Sequence, residues 1–267
     1  DGVSANILIS SIGNCGFKVT NNAKLSGVIY KIVMDCIDGD YFRARELSNI
    51  LSALNKMGLI WSSLSVELQR GLLASVESNI IGFNPQGISN TLLSLSQMGL
   101  IWSSLSVGLQ RGLLASVESN IRGFNPQGIS NTLLSLNQMG LAWSSLSVDL
   151  QRGLLASVES NIRGFNPQGI SNTLLSLNQM DVIWSNLSVE LQRGLLASVE
   201  SNMKQFNAQD ISNTLLSLNQ LGLTWPSLSG DLQRGLLASV ETNIKQFKPQ
   251  EISITLLSLN QMGLIWS

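Results

Sequence analysis

A chain of 267 residues with 44% hydrophobic and only 12% charged residues is built to fold, and no apolar run in it approaches the ~18 residues that a membrane helix needs. Its net charge of −1 gives no bulk attraction to nucleic acid. The lack of histidine removes the commonest general base, the commonest metal ligand and every Ser-His or Cys-His nucleophile pair. With Cys15 and Cys36 as its two cysteines, the chain fits a reducing compartment: the cytoplasm first, an organellar matrix or a host cytosol otherwise.

A 41-residue period dominates the chain. Trp61, Trp102, Trp143, Trp184, Trp225 and Trp266 mark it, and the stretch from Gly82 to Leu95 returns nearly letter for letter. Such a period belongs to stacked supersecondary units, each unable to bury its apolar face alone. Residues 1–40 read as a degenerate first repeat, with a loose copy of the repeated pattern at residues 4–10 and a second apolar-periodic stretch from Ala23 to Ile37. Residues 41–267 read as regular repeats, the last one truncated before its second helix. The expected fold class is therefore all-α, an α-solenoid of stacked two-helix repeats in one continuous domain. Seven copies of helix A at ~8–10 Å spacing predict a gently curved rod about 60 Å long, helix A lining its concave side.

Within a unit, helix A has a clear start. Asn84 is a good N-cap, Pro85 suits the first helical position, and Phe83 and Ile88 have the spacing of a hydrophobic staple. The helix is expected to run to about Met98 and to end at Gly99 in the left-handed conformation, with Asp181 standing once in that glycine's place. Helix B is expected from Ser63 or Ser65 to about Ile80, closed by Gly82. Ile88, Leu92 and Leu95 share one side of helix A, and Leu68, Leu72, Val76 and Ile80 one side of helix B. Gly71, inside helix B, costs ~1 kcal/mol relative to Ala, which implies a packing reason for it. The tryptophans read as packing residues rather than stacking platforms.

Opposite the core stripe of helix A lie Gln86, Asn90, Ser94 and Gln97, which stacking turns into ladders of uncharged donors and acceptors. Such groups suit base edges or the main chain of an extended peptide. The alternatives are that they only solvate the helix, or that Asn90 ties neighbouring units together. The candidate contacts are Gln86, Gly87 and Asn90, then Gln127, Gly128 and Asn131, then Gln168, Gly169 and Asn172, then Gln209, Asp210 and Asn213. The third helical position runs Glu46, Gly87, Gly128, Gly169, Asp210 and Glu251; its acids are either readers or capping-box carboxylates. Arg122, Arg163, Lys204 and Lys245 form a basic ladder suited to phosphates, broken by Ile81. Glu118 precedes Arg122 by four, a favourable helical pair. No metal spacing or phosphate loop occurs, so neither an enzyme nor a cofactor is expected.

The motif resembles that of the octotricopeptide repeat family and the related repeats of FAST-kinase proteins, Pro-Gln-x-Leu-Ser-Asn-x-Leu-Trp-Ala-Leu-Ala-x-Leu-Gly. Pro85, Gln86, Ser89, Asn90, Leu92, Leu95 and Gly99 match it, as do most of their later counterparts, while Leu93 and Ser94 replace its Trp-Ala. The resemblance implies a paired-helix solenoid that binds single-stranded RNA at about one nucleotide per repeat, through the edge around Gln86, Gly87 and Asn90. The array is also similar to those of proteins from intracellular bacteria, and its asparagines to those with which armadillo repeats hold an extended peptide. A peptide- or protein-binding scaffold is thus the alternative. A monomer with no membrane contact is expected in either case.

Overall fold

The computed structural model describes residues 2–16, 18–19 and 22–265, and its regular structure is helical throughout. The first repeat supplies α1 (Gly2–Asn14) and α2 (Ala23–Asp38). The A helices of the regular repeats are α3 (Ala44–Lys56), α5 (Pro85–Gln97), α7 (Pro126–Gln138), α9 (Pro167–Gln179), α11 (Ala208–Gln220) and α13 (Pro249–Gln261). Their B partners are α4 (Val66–Ser78), α6 (Val107–Asn120), α8 (Val148–Asn161), α10 (Val189–Asn202) and α12 (Gly230–Asn243). The fold is an α-solenoid of two-helix repeats. It divides into two compact units, Asp1–Phe124 with Gln138–Leu141, and Asn125–Asn137 with Ala142–Ser267.

The caps form as the residue types dictate. Asn84 accepts from the Gly87 N–H at 2.7 Å, Ser65 accepts from the Leu68 N–H at 3.2 Å, and both halves of the Phe83–Ile88 staple are buried. Gly99 ends helix A at φ +86°, and Asp181 takes the same left-handed turn at φ +64°. Helix B is shorter than its apolar period suggests. In α4 it stops at Ser78, and Ile80–Gly82 tighten into a 3-10 turn closed by the Gly82 N–H on the Asn79 carbonyl. Arg122 sits on the matching turn after α6, off the helix that carries Glu118. The expected Glu118–Arg122 pair is not among the ion pairs of the described residues, which join Arg43 to Asp40, Arg234 to Asp231 and Lys248 to Glu251.

In the first unit α1, α3 and α5 pack side by side, as do α9, α11 and α13 in the second. Small polar residues let them approach. Ser89, Thr91, Ser94 and Ser96 of α5 are all buried, which corrects the placing of Ser94 on an open ladder: its hydroxyl donates to the Asn90 carbonyl 2.7 Å away. Helix A has neighbours on both flanks, so a single stripe opposite the core leaves room for only a narrow open strip. Gln97 is on that strip but accepts from Asn55, the first rung of an end-of-helix ladder that continues as Asn178 to Gln220 and Asn219 to Gln261.

Repeats are also joined through the backbone of their connections. The Trp61 N–H donates to the Met98 carbonyl at 2.6 Å, and Trp102, Trp143 and Trp225 repeat the bond on Met139, Met180 and Met262. Trp61 and Trp225 are buried and Trp102, Trp143 and Trp184 half-buried; Trp266 lies outside the described residues. Each helix B glutamine closes its own connection, as Gln69 does by donating to the carbonyls of Trp61 and Leu64. Asn90 does not tie neighbouring repeats, since its side chain bonds to nothing in the protein; Asn79 instead closes its own repeat, its Nδ2 donating to the Phe42 carbonyl just before helix A at 3.1 Å, and Asn120, Asn202 and Asn243 do the same for Phe83, Phe165 and Phe206. The helix B glycine has its packing reason too. A Cβ at Gly194 would stand 2.7 Å from the Ile162 side chain of the preceding repeat.

Candidate polar grooves on helix A

Where two A helices begin side by side, the open strip deepens into a groove. In the first unit it lies between α3 and α5, holds about 330 Å3, and is lined by Arg45, Ser48, Asn49, Asn84, Gln86, Gly87 and Asn90 over a floor of Ala44, Gly82 and Phe83. In the second unit it lies between α7 and α9, holds about 210 Å3, and is lined by Asn125, Gln127, Ser130, Asn131, Asn166, Gln168, Gly169 and Asn172 beside Pro126, Gly164 and Phe165. The local reason is the cap. Asn-Pro turns the chain sharply into α5, α7 and α9, which brings the first turn of each, with its polar second and sixth residues, to the mouth, while α3 enters through Arg43-Ala44 instead.

The glutamines Gln86, Gln127, Gln168 and Gln209 are exposed, while Asn90, Asn131, Asn172 and Asn213 are half-buried with side-chain amides that bond to nothing in the protein. Gly87 lines the first groove and Gly169 the second, where its carbonyl accepts from Ser130 at 3.2 Å; Gly128 is buried and lies outside the lining. Three candidate residues thus meet in one groove and five in the other.

Asp210 departs from the reading role. It is buried, its carboxylate accepting from the Asn207 N–H at 3.2 Å and from the Ser171 hydroxyl at 3.0 Å, so both oxygens serve the capping box and the link to the preceding repeat. Glu251 likewise accepts from the Lys248 N–H. Arg122, Arg163, Lys204 and Lys245 are exposed on the turns that precede helix A and belong to neither lining. The grooves also contain residues the sequence reading passed over: Arg45, Ser48 and Asn49. They stand one period before Gln86, Ser89 and Asn90, so the period itself carried the signal.

Among the described residues no cluster of His, Cys, Asp or Glu is placed to hold a metal, and no helix is long and apolar enough to cross a membrane. Burial pushes the Cys36 thiol above its ordinary range, while Cys15 is exposed.

A family model described as "Protein of unknown function (DUF1601)" matches residues 57–92, 106–133, 139–174, 180–215 and 231–256, which together make up more than half of the chain. No curated protein matches the chain significantly. Among solved structures, the chain is similar to a designed armadillo repeat protein in complex with the peptide (KR)4, at 13% identity and a TM-score of 0.28, over 91% of this chain and 96% of that one. A likeness of that size carries no argument about the ligand.

Proposed function

We propose that the chain, which belongs to the family described as Protein of unknown function (DUF1601), is a non-enzymatic, monomeric binding module that holds single-stranded RNA along its A helices, about one nucleotide per repeat. The observation that carries this reading is the set of half-buried amides, Asn49 and Asn90 in one groove and Asn131 and Asn172 in the other, left without partners in the protein. These amides open into the grooves, so a ligand can engage them without first breaking a bond within the protein. The resemblance to octotricopeptide repeats supports the same edge independently. Gln86, Gly87 and Asn90, to which it implies RNA contact, all line the first groove. Neutral donors predominate, so the salt dependence is shallow.

One observation favours a second reading, an extended peptide held by its main chain. The rings that line the grooves, Phe83 and Phe165, are only 4% and 5% exposed, which leaves little aromatic face for base stacking. An asparagine amide serves a peptide N–H and C=O equally well. Fluorescence anisotropy of the full chain against the four homopolymeric single-stranded RNAs and a neutral extended peptide, each at two salt concentrations, separates the two. Saturable RNA binding that changes little with salt is the expected result. Peptide binding with no RNA binding at low salt replaces the RNA reading, and binding of neither removes the grooves as the site.

A further inference from the structure

We propose that the groove between α3 and α5 is an anion site that takes a phosphate group, in contrast to the uncharged groove between α7 and α9. The proposal rests on the RNA reading for the source of the phosphate, not for the site. At the second position of helix A every later repeat carries glutamine, from Gln86 to Gln250, whereas α3 carries Arg45. Arg45 lines the groove, makes no ion pair, and faces no carboxylate among the lining residues. The second groove has no charged residue in its lining.

Ser48 is the independent sign of a missing partner. It is 3% exposed and lines the groove, yet its hydroxyl makes no hydrogen bond in the protein. Four of its counterparts are engaged, Ser89 on the Gln86 carbonyl, Ser130 on the Gly169 carbonyl, Ser171 on the Gln168 carbonyl and Asp210, and Ser253 on the Pro249 carbonyl; Ser212, 2% exposed, is unbonded like Ser48 but lines neither groove. The amides of Asn49 and Asn90 stand beside it, equally unbonded. Helix α3 also starts without the side-chain cap that Asn84 gives α5 and Asn166 gives α9, since Arg43 holds its N-cap position. The first N–H groups of α3 are therefore not covered by a capping side chain, at the end where the helix dipole favours an anion; the acid of its first turn, Glu46, is outside the groove lining.

A guanidinium fork, a hydroxyl and two amides, with no acid among them, are more donors than the two oxygens of a carboxylate can use. A phosphate can accept from all of them, and Arg binds it bidentately.

The test titrates the full chain with inorganic phosphate, followed by the 31P linewidth, and with a short single-stranded RNA and an acidic extended peptide, followed by anisotropy. Each is repeated with Arg45→Gln, which installs the residue the other repeats carry and so keeps the fold. The expected result is saturable phosphate broadening that Arg45→Gln weakens at least tenfold, and RNA binding that it weakens severalfold with a smaller salt slope. Absence of broadening with the wild-type chain, or equal broadening with both forms, overturns the site even if RNA still binds. Arg45-dependent phosphate binding without RNA binding upholds the site and removes the RNA reading instead. Arg45-dependent binding of the acidic peptide but not of phosphate reassigns the anion as a carboxylate and overturns the proposal.

Discussion

Two asparagine ladders run through this chain with the same period, and they are in opposite physical states. On helix B, Asn79, Asn120, Asn202 and Asn243 each donate to the phenylalanine carbonyl that opens their own repeat at 3.0–3.1 Å and to a serine carbonyl of their own helix. On helix A, Asn90, Asn131, Asn172 and Asn213 are half-buried, and their side chains have no partner. The first ladder pins the end of each helix B to the start of its own helix A; the second has its hydrogen bonds unused. A repeated polar residue is therefore not informative by its repetition, only by whether its hydrogen bonds are already used.

The comparison breaks most visibly where the bonded ladder is deepest. Asn202→Ala leaves the Phe165 carbonyl without its donor in a site only 8% exposed, and is expected to cost about 2–3 kcal/mol, read as a fall in the urea midpoint. Gly194→Ala tests a contact between repeats, from the steric side. Its new methyl meets the end of the Ile162 side chain, and after the ~1 kcal/mol that Ala gains in helix propensity a net loss of about 1 kcal/mol is expected; a raised midpoint would show that the neighbour gives way freely. Gln110→Ala opens the connection that ends at Leu105 by removing donors to the Trp102 and Leu105 carbonyls, for about 1 kcal/mol in the same assay. Asn172→Ala, on the free ladder, is expected to move the midpoint by less than about 0.5 kcal/mol, as a surface substitution does. A larger loss would place Asn172 with the structural ladder.

Local chemistry was legible in the sequence because each signal is carried by neighbouring residues. The Asn84 cap, the Phe83–Ile88 staple, the left-handed Gly99 and its stand-in Asp181, and the core faces of both helices follow from spacing alone. What spacing cannot carry is which flank of a helix meets another element. Ser94 shares a polar stripe with Asn90 but is covered by packing, and Asn79 looks like an ordinary helix-end residue until the preceding Phe42 carbonyl is brought to it. Arg122 keeps helical spacing from Glu118 but sits on a turn that leaves the helix. The candidate site was legible to the extent that its edge is periodic: Gln86, Asn90, Asn131 and Asn172 meet in grooves. Asp210 was drawn inward because Ser171 and its own helix start supply the hydrogen bonds a buried carboxylate requires.

The free amides of helix A are the groups on which the proposed binding depends. The most direct test is an anisotropy titration of Asn131→Ala/Asn172→Ala beside the wild-type chain, using one single-stranded RNA and checking both proteins for equal urea midpoints. The account predicts at least a tenfold loss of affinity in a protein that is as stable as before. Undiminished binding by the double variant would contradict it.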